Sequence, residues 1–417
     1  MSRFLRNPLL TFLMVFPASY NVAKAVFMVF VIGETLWAIV RGERFRIHTG
    51  VVLGLLTVLF LGMFLALYDH LQLPFAQWRQ ANVFLTAPLI FLLFTLLYSH
   101  RPDFGPTLHH CLCSASFFIA VNALAYLGFG LIGRPYPLEF LDLDYRRGID
   151  ERGFAAYSTN NLPILCFTVP YLLANVLYTG NRSRFAVLTL ALSVLAALAS
   201  LRVAVILSVV GSAVVLFGLV YLKADSAGRR TIRRGIVLAA TAPLVAGVIG
   251  YLLLPSGQKA RLGLIVEGIY LLKLSRKVSG EDSRYEQANY WLRAWERRPW
   301  FGHGLSSTEL ITSSIVKPGT VQNPYGYELT YLRLLSEIGL LPLLLYAYLL
   351  LRSARWLAEC AWRGETAERR EALGHLLGMI GFLFASGTNG YLLTFGVAWT
   401  VFLPVAYGNR LLTEETA

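Results

Sequence analysis

Residues 284–304 read RYEQANYWLRAWERRPWFGHG, and this basic segment stands between long apolar stretches of the chain. Pro299 predicts the end of a polar helix, and Gly302 and Gly304 predict a turn that permits close backbone approach. Arginine forks bind phosphate oxygens through paired, charge-assisted hydrogen bonds. The basic segment therefore predicts an anion-binding site beside a membrane domain, suited to the phosphates of a lipid carrier.

The composition is that of a polytopic membrane protein. Hydrophobic residues make up 56% of the 417 residues and charged residues 15%, well below the share that soluble proteins carry. Apolar runs of about 20 residues recur along the chain, which predicts an all-α bundle of transmembrane helices. The four cysteines give no disulfide framework. Basic residues that produce the net charge of +13 are scattered between apolar runs, which argues against nucleic-acid binding.

The pattern predicts about twelve spans in three regions. Residues 1–254 hold nine spans, 255–326 form a long external loop that contains helices and the basic segment, and 327–417 hold three spans and a tail. The first two spans lie close enough in sequence to form a re-entrant pair. The predicted spans are 8–20, 22–40, 49–67, 82–99, 110–131, 160–179, 184–200, 203–222, 235–254, 327–351, 373–389 and 393–408.

The distribution of Lys and Arg predicts the orientation. With the N-terminus in the cytoplasm, most basic connections fall on the cytoplasmic side, as the positive-inside rule requires. Two connections on the outer side break the pattern, 132–159 and 255–326, and both are rich in Arg or Lys. Because long loops escape the rule, the orientation stands, and these basic residues favour anion binding on the outer face. The stretch 261–275 has the spacing of a helix lying on the membrane surface.

Two residues outside the basic segment, Arg202 and Glu328, fit a catalytic role. Arg202 falls at a tight outer junction between two spans, where it is either an interfacial arginine that reaches headgroups or a phosphate clamp. Glu328 falls at the outer edge of the span 327–351, where it is either a general base or the partner of a nearby arginine. Glu337, deeper in that span, fits a helix-packing hydrogen bond.

Other polar residues give weaker signals. His303 is a weak acid–base candidate because it lies between the two glycines, and Glu34 is a relay candidate in a transporter. His109, His110, Cys111 and Cys113 lack a matching ligand pair elsewhere, so we expect no metal and no other cofactor.

These motifs together resemble the bacterial O-antigen ligase and O-antigen polymerase superfamily over nearly the whole chain. That family has an Arg, a Pro fifteen residues later and then Gly-x-Gly, as at Arg284, Pro299, Gly302 and Gly304. Its Ser-Arg pair is approximated by Ser200-Leu201-Arg202 with one residue inserted. The remaining matches are Arg152-Gly153-Phe154 followed by Asn160-Asn161, and the series Leu332, Leu335, Glu337, Gly339 and Leu340.

The resemblance implies a metal-independent, GT-C-like glycosyltransferase in the bacterial inner membrane, with its site facing the periplasm. The donor is a glycan on undecaprenyl diphosphate, and the acceptor is a glycan or lipid A-core hydroxyl. Under this hypothesis Arg202 and Arg284 bind the diphosphate, Arg152 binds phosphate or sugar, and Glu328 is the base. Tyr325, Tyr327 and Trp300 are candidates for stacking on sugar rings. A chain-length regulator is a further candidate partner.

One departure from the family pattern favours a polymerase over a ligase. O-antigen ligases carry a His near the start of the span after the long loop, and that position here is Glu328. A polymerase for O-antigen or another surface polysaccharide is therefore the first hypothesis, and a ligase that joins the glycan to lipid A-core in lipopolysaccharide is the alternative. A polysaccharide or lipid transporter is the rival from another class, although the chain shows no repeated halves.

Overall fold

The fold is helical, with one short hairpin, in the part of the chain that the structure describes. This computed structural model describes residues 10–17, 20–42, 90–98, 103–131, 134–141, 146–149, 155–178, 183–200, 202–223, 284–304, 329–363, 366–387, 390–393 and 395–415. The labelled helices are α1 (Asn21–Val40), α2 (Phe104–Leu131), α3 (Leu165–Tyr178), α4 (Arg184–Ala199), α5 (Val203–Lys223), α6 (Arg284–Arg297), α7 (Thr330–Ile338), α8 (Leu340–Arg363), α9 (Thr366–Ser386) and α10 (Trp399–Glu415). Further helical residues lie at 10–15 and 90–98.

Three of the described helices are long and apolar enough to cross a membrane: Val22–Val40, Phe104–Phe129 and Leu340–Trp362. This finding confirms a helical protein with three candidate membrane-spanning helices among the described residues. Shorter apolar stretches occupy α3, α4, α5 and α9. The predicted spans 49–67 and 235–254 and the surface helix 261–275 lie outside the described residues. The predicted total of twelve spans therefore stays a prediction.

Helix α9 is the centre of the bundle and packs against α3, α5, α8 and α10. Its face toward α3 carries Gly378 and Gly381. A Cβ atom at Gly378 would lie 2.7 Å from the Phe167 ring, and one at Gly381 would lie 2.5 Å from the Cys166 carbonyl oxygen. In lipid, the hydrophobic effect does not drive helices together. Helix association there depends on close packing, which small residues at the interface permit. The glycines of α9 therefore set how closely α3 approaches it.

One predicted span is wrong in its boundaries. The sequence predicts a continuous helix over 327–351, but the chain breaks at Gly339 into α7 and α8. Gly339 has φ 79° and ψ 176°, a conformation that is essentially restricted to glycine. Hydropathy does not detect the break because Leu340 to Leu345 continue the apolar run with one proline. The candidate span begins at Leu340, and α7 is a separate short helix.

The predicted outer loop 132–159 contains a β-hairpin. Strand β1 (Arg146–Ile149) pairs antiparallel with strand β2 (Ala155–Ser158), and Arg146 lies opposite Ser158. Arg152 falls between the two strands in the sequence and lies outside the described residues. A 3₁₀ turn at Leu162–Ile164 then leads into α3.

Candidate functional site

The basic segment 284–304 folds as helix α6 followed by a tight turn. Helix α6 ends at Arg297, two residues before Pro299, as the sequence predicts. The indole Nε1 of Trp295 donates a hydrogen bond to the Pro299 carbonyl at 2.9 Å and closes this end. Gly302 and Gly304 have φ values of 70° and 89°, which lie in the left-handed region that glycine tolerates. The expected glycine turn is confirmed.

This turn is joined to the break between α7 and α8 by backbone hydrogen bonds. The amides of His303 and Gly304 donate to the carbonyls of Ser336 and Glu337, at 3.0 and 2.8 Å. In the other direction, the amide of Leu340 donates to the Pro299 carbonyl at 2.9 Å. A Cβ atom at Gly302 would lie 2.5 Å from the Glu337 carbonyl oxygen, so the two segments touch backbone to backbone. The two sequence motifs therefore form one structural unit, which we call the glycine clamp (299–304 with 336–340).

Side chains reinforce the glycine clamp from both sides. The Ser336 hydroxyl donates to the Trp291 carbonyl at 2.7 Å. The ring of His303 is buried, and its Nε2 lies 2.8 Å from the Ala294 carbonyl oxygen, to which it donates. His303 therefore holds the turn against α6, and its acid–base role stays a prediction.

The contacts between α6 and α7 place the first residues of both helices at the same end of the pair. Trp291 contacts Ser336, and Pro299, later in the chain, contacts Leu340, so the two helices run in the same direction. Arg284 and Thr330 lie seven and six residues before the Trp291–Ser336 contact. At 1.5 Å rise per residue, each helix extends about 10 Å beyond that contact. Arg284, of which the structure describes the backbone, therefore begins α6 at the end where α7 also begins.

Glu328 lies outside the described residues, one position before Leu329, which caps α7. The chain enters α7 at Leu329, at the end of the helix pair where Arg284 begins α6. Tyr325 and Tyr327 also lie outside the described residues, and their assignment to sugar stacking stays a prediction. Trp300 is 57% exposed, and its carbonyl accepts a hydrogen bond from the amide of Leu341 at the start of α8. The exposed indole is compatible with a stacking role.

Helix α7 contains a buried ion pair that the sequence analysis missed. Nε of Arg333 donates to Oε1 of Glu337 at 2.9 Å, and both side chains are at most 4% exposed. The sequence interpretation gave Glu337 a helix-packing hydrogen bond; the structure shows that its partner is a charged residue on the same helix. The spacing of four residues between opposite charges is the signal that could have identified the pair.

Breaking this ion pair is expected to destabilise the protein. Arg333→Met leaves Glu337 buried and unpaired, so we expect a loss of about 3 kcal/mol, and Glu337→Met has a similar effect. The double variant loses less than the sum, because no unpaired charge remains. Thermal unfolding of the detergent-purified proteins measures these differences. Arg355→Met is the matched control, since Arg355 makes the same i,i+4 contact with Glu359 on the surface of α8. If Arg333→Met lost as little stability as this control, the buried ion pair would not stabilise the protein as we expect.

Arg202 lies at the tight junction between α4 and α5. Its backbone amide donates to the Ser200 hydroxyl at 3.3 Å, and that hydroxyl donates to the Ala197 carbonyl at 2.7 Å. The Arg202 side chain is half-buried and lies close enough to the Cys166 thiol to interact with it electrostatically. The tight junction between two helices is confirmed, and its position on the outer face stays a prediction.

The start of α3 lies inside the bundle. Asn161 is fully buried and donates from Nδ2 to the Val15 carbonyl at 3.1 Å, while its Oδ1 accepts from the Thr159 hydroxyl at 2.8 Å. The ring of Phe16, next to Val15, lies 6.3 Å from that of Phe118, near the middle of α2. Helix α3 therefore begins level with the middle of α2.

Helix α9 connects the Arg202 region to the glycine clamp. Gly381 packs on the Cys166 carbonyl, and the Tyr331 hydroxyl in the first turn of α7 donates to the Leu383 carbonyl at 2.5 Å. Burial raises the pKa of Tyr331 to about 12, so this donor stays neutral. Positions 381 and 383 are about 3 Å apart along the helix axis. The start of α3, Arg202 and the start of α7 therefore lie at the same end of α9.

Of the His and Cys residues clustered in α2, Cys111 and Cys113 are buried in the bundle, His109 is half-buried and His110 is exposed. Sγ of Cys113 lies 3.5 Å from Nε2 of His109, and the His109 ring packs against Tyr171. Across the described ranges, no group of three or more His, Cys, Asp or Glu side chains is arranged to hold a metal ion.

Two comparisons with known proteins give no relative: no family model matches the chain, and no curated protein matches it in sequence.

Proposed function

We propose that this protein is a membrane glycosyltransferase that uses an undecaprenyl-diphosphate-linked glycan as donor and a glycan hydroxyl as acceptor. Within that class we propose a polymerase of O-antigen or another surface polysaccharide in the bacterial inner membrane, with its site on the periplasmic side. The observation that supports the proposal is the glycine clamp, which joins the Arg284–Gly304 motif to the Leu332–Leu340 motif and brings the starts of α6 and α7 to one end.

The proposed chemistry is a displacement at the anomeric carbon of the donor. The acceptor hydroxyl attacks this carbon, the bond to the diphosphate oxygen breaks, and undecaprenyl diphosphate leaves. Negative charge grows on the bridging oxygen, and guanidinium groups held in place before the reaction stabilise it. Arg202 and Arg284 are assigned this role, with Arg152 on phosphate or sugar. The proton of the attacking hydroxyl passes to the carboxylate of Glu328.

A ligase that transfers the finished glycan to lipid A-core is the alternative, because it needs the same hold on the donor. The carboxylate at position 328, where ligases of the resembled family carry a His, favours the polymerase. A polymerase and a ligase would use Arg202 and Arg284 in the same way. The two activities are therefore distinguished by their products.

Deletion of the gene in its native host is the direct test of the proposed function. We expect single repeat units on the surface acceptor and a loss of long chains, seen by gel electrophoresis and mass spectrometry. Long chains that accumulate on undecaprenyl diphosphate, with a bare acceptor, identify the ligase instead. An unchanged pattern of surface and lipid-linked glycans contradicts both the polymerase and the ligase, and it favours the transporter hypothesis. Re-expression of the wild-type chain in the deletion strain is the control.

A further inference from the structure

Helix α1 carries one charged side chain that is buried against the bundle. Lys24 lies in its first turn and is 5% exposed, whereas the nearby Val22 is 81% exposed. The Lys24 ammonium donates a hydrogen bond to the Pro17 carbonyl at 2.9 Å. No carboxylate forms an ion pair with it among the residues for which side chains are described.

Among the described side chains, the charge of Lys24 is therefore met by the dipole of one carbonyl group and by no carboxylate. An ammonium group has three N–H donors, and a carbonyl oxygen supplies a dipole in place of a negative charge. Burial of an ammonium without a counter-charge is costly. Ionisable residues within membrane-spanning helices face the bundle interior and commonly mark the path or site of a substrate. The position of Lys24 therefore favours an anionic ligand that is bound while the protein works.

The hydrogen bonds of Lys24 and Asn161 connect both residues to one turn of the chain. Asn161 binds the Val15 carbonyl and Lys24 binds the Pro17 carbonyl, two residues later. The Pro17 carbonyl also packs against Gly396, just before α10. Arg202 approaches the same beginning of α3 from the junction of α4 and α5, near Cys166. Lys24 and Arg202 thus bring two positive charges from separate segments to the buried start of α3.

We infer that Lys24 is a further anion-contact residue at this site, where its ammonium and the Arg202 guanidinium both bind the diphosphate of the lipid-linked donor. This inference rests on the proposed function, since it takes its ligand from there. The ligand chemistry is a diphosphate that joins a long prenyl chain to a glycan, and undecaprenyl diphosphate is the same group without the glycan. Two cations that approach from different segments match a ligand with two phosphate groups, because each phosphate can accept charge-assisted hydrogen bonds from one of them.

Direct binding of undecaprenyl diphosphate tests the inference without using activity. The full chain is placed in nanodiscs of neutral lipid, and its affinity for undecaprenyl diphosphate is measured for wild type, Lys24→Gln, Lys24→Arg and Arg202→Gln. The Gln variant removes the charge but keeps a donor for the Pro17 carbonyl, so the turn is retained. We expect Lys24→Gln to bind about tenfold more weakly and Lys24→Arg to stay within about threefold of wild type. Arg355→Gln, which removes an exposed charge on α8, is the control and binds as wild type does.

The outcomes separate the two proposals. Wild-type affinity in Lys24→Gln, together with weak binding in Arg202→Gln, overturns the role of Lys24 and leaves the proposed function standing. A lower melting temperature of Lys24→Gln with unchanged affinity also overturns it, since Lys24 then only holds the turn. No binding of undecaprenyl diphosphate to wild type overturns both proposals. Phosphatidylglycerol, added to the nanodiscs, is expected not to compete; full competition means that Lys24 meets bilayer headgroups and overturns the assignment to the donor.

Discussion

Under the proposed function, the Arg284→Ala protein is expected to enter the membrane at the wild-type level and to transfer glycan about 10²- to 10³-fold more slowly, because the proposed donor to the leaving diphosphate is lost. Arg202→Ala is expected to have an effect of the same order. The corresponding Lys variants keep a positive charge but lose the planar fork, so they recover part of the rate. The measurement is polymer formation from purified lipid-linked repeat units, normalised to the folded protein. Arg355→Ala is the control for removal of an exposed arginine.

Replacement of the assigned base completes this first prediction. Glu328→Gln keeps the size of the side chain and removes its ability to take the hydroxyl proton, so the rate is expected to fall by about 10²- to 10⁴-fold. Donor binding stays near the wild-type value, since Glu328 is assigned to the acceptor. If Arg284→Ala and Glu328→Gln both insert normally and keep full activity, the assignment of the site is wrong.

Gly339→Ala is expected to prevent recovery of folded protein. Its backbone conformation is restricted to glycine, and an added Cβ atom would overlap the backbone of Trp300 and Phe301. Backbone cannot move aside as a flexible side chain can, so we expect a loss of about 5 kcal/mol or more, at the extreme of single substitutions. Gly302→Ala acts on the same contact from the other side, with a Cβ atom 2.5 Å from the Glu337 carbonyl oxygen. The yield of monodisperse protein and its thermal unfolding in detergent measure both.

Gly211→Ala is the matched control for this second prediction. Gly211 lies within α5 and has no atom within 4 Å of an added Cβ. Alanine also favours a helix over glycine, so the stability stays the same or rises slightly. Normal yield and unfolding temperature in Gly339→Ala would show that the glycine clamp does not hold α6 to α7.

The helical class and the turn of the basic segment could be predicted from the sequence because each rests on local chemistry. Apolar runs define helices, and the order Pro299, Gly302, Gly304 defines a turn. The break at Gly339 could not be predicted, since it depends on the contact with Trp300 and Phe301, which are far away in the sequence before α7. The hairpin is a local feature, but its two four-residue strands are stabilised by pairing with each other, and hydropathy does not show this pairing.

The site could be predicted in part. The position of Arg202 at a helix junction follows from the length of the two apolar runs beside it. Its proximity to Cys166 does not, because it depends on how α3, α5 and α9 pack together. Lys24 lies within the predicted apolar span 22–40. Hydropathy does not predict that its ammonium is buried or that it donates a hydrogen bond to the Pro17 carbonyl.

The glycine clamp also makes the geometry of the reaction sensitive to small rotations. It fixes α6 and α7 at one end, while Arg284 begins α6 at the other, so α6 works as a lever about 10 Å long beyond the Trp291–Ser336 contact. A rotation of about 10° at the pivot moves the far tip by nearly 2 Å, and a misplacement of about 1 Å can cost a reaction about 10²-fold in rate. Substitutions at the pivot that leave the protein folded are therefore expected to slow transfer while they barely change its melting temperature.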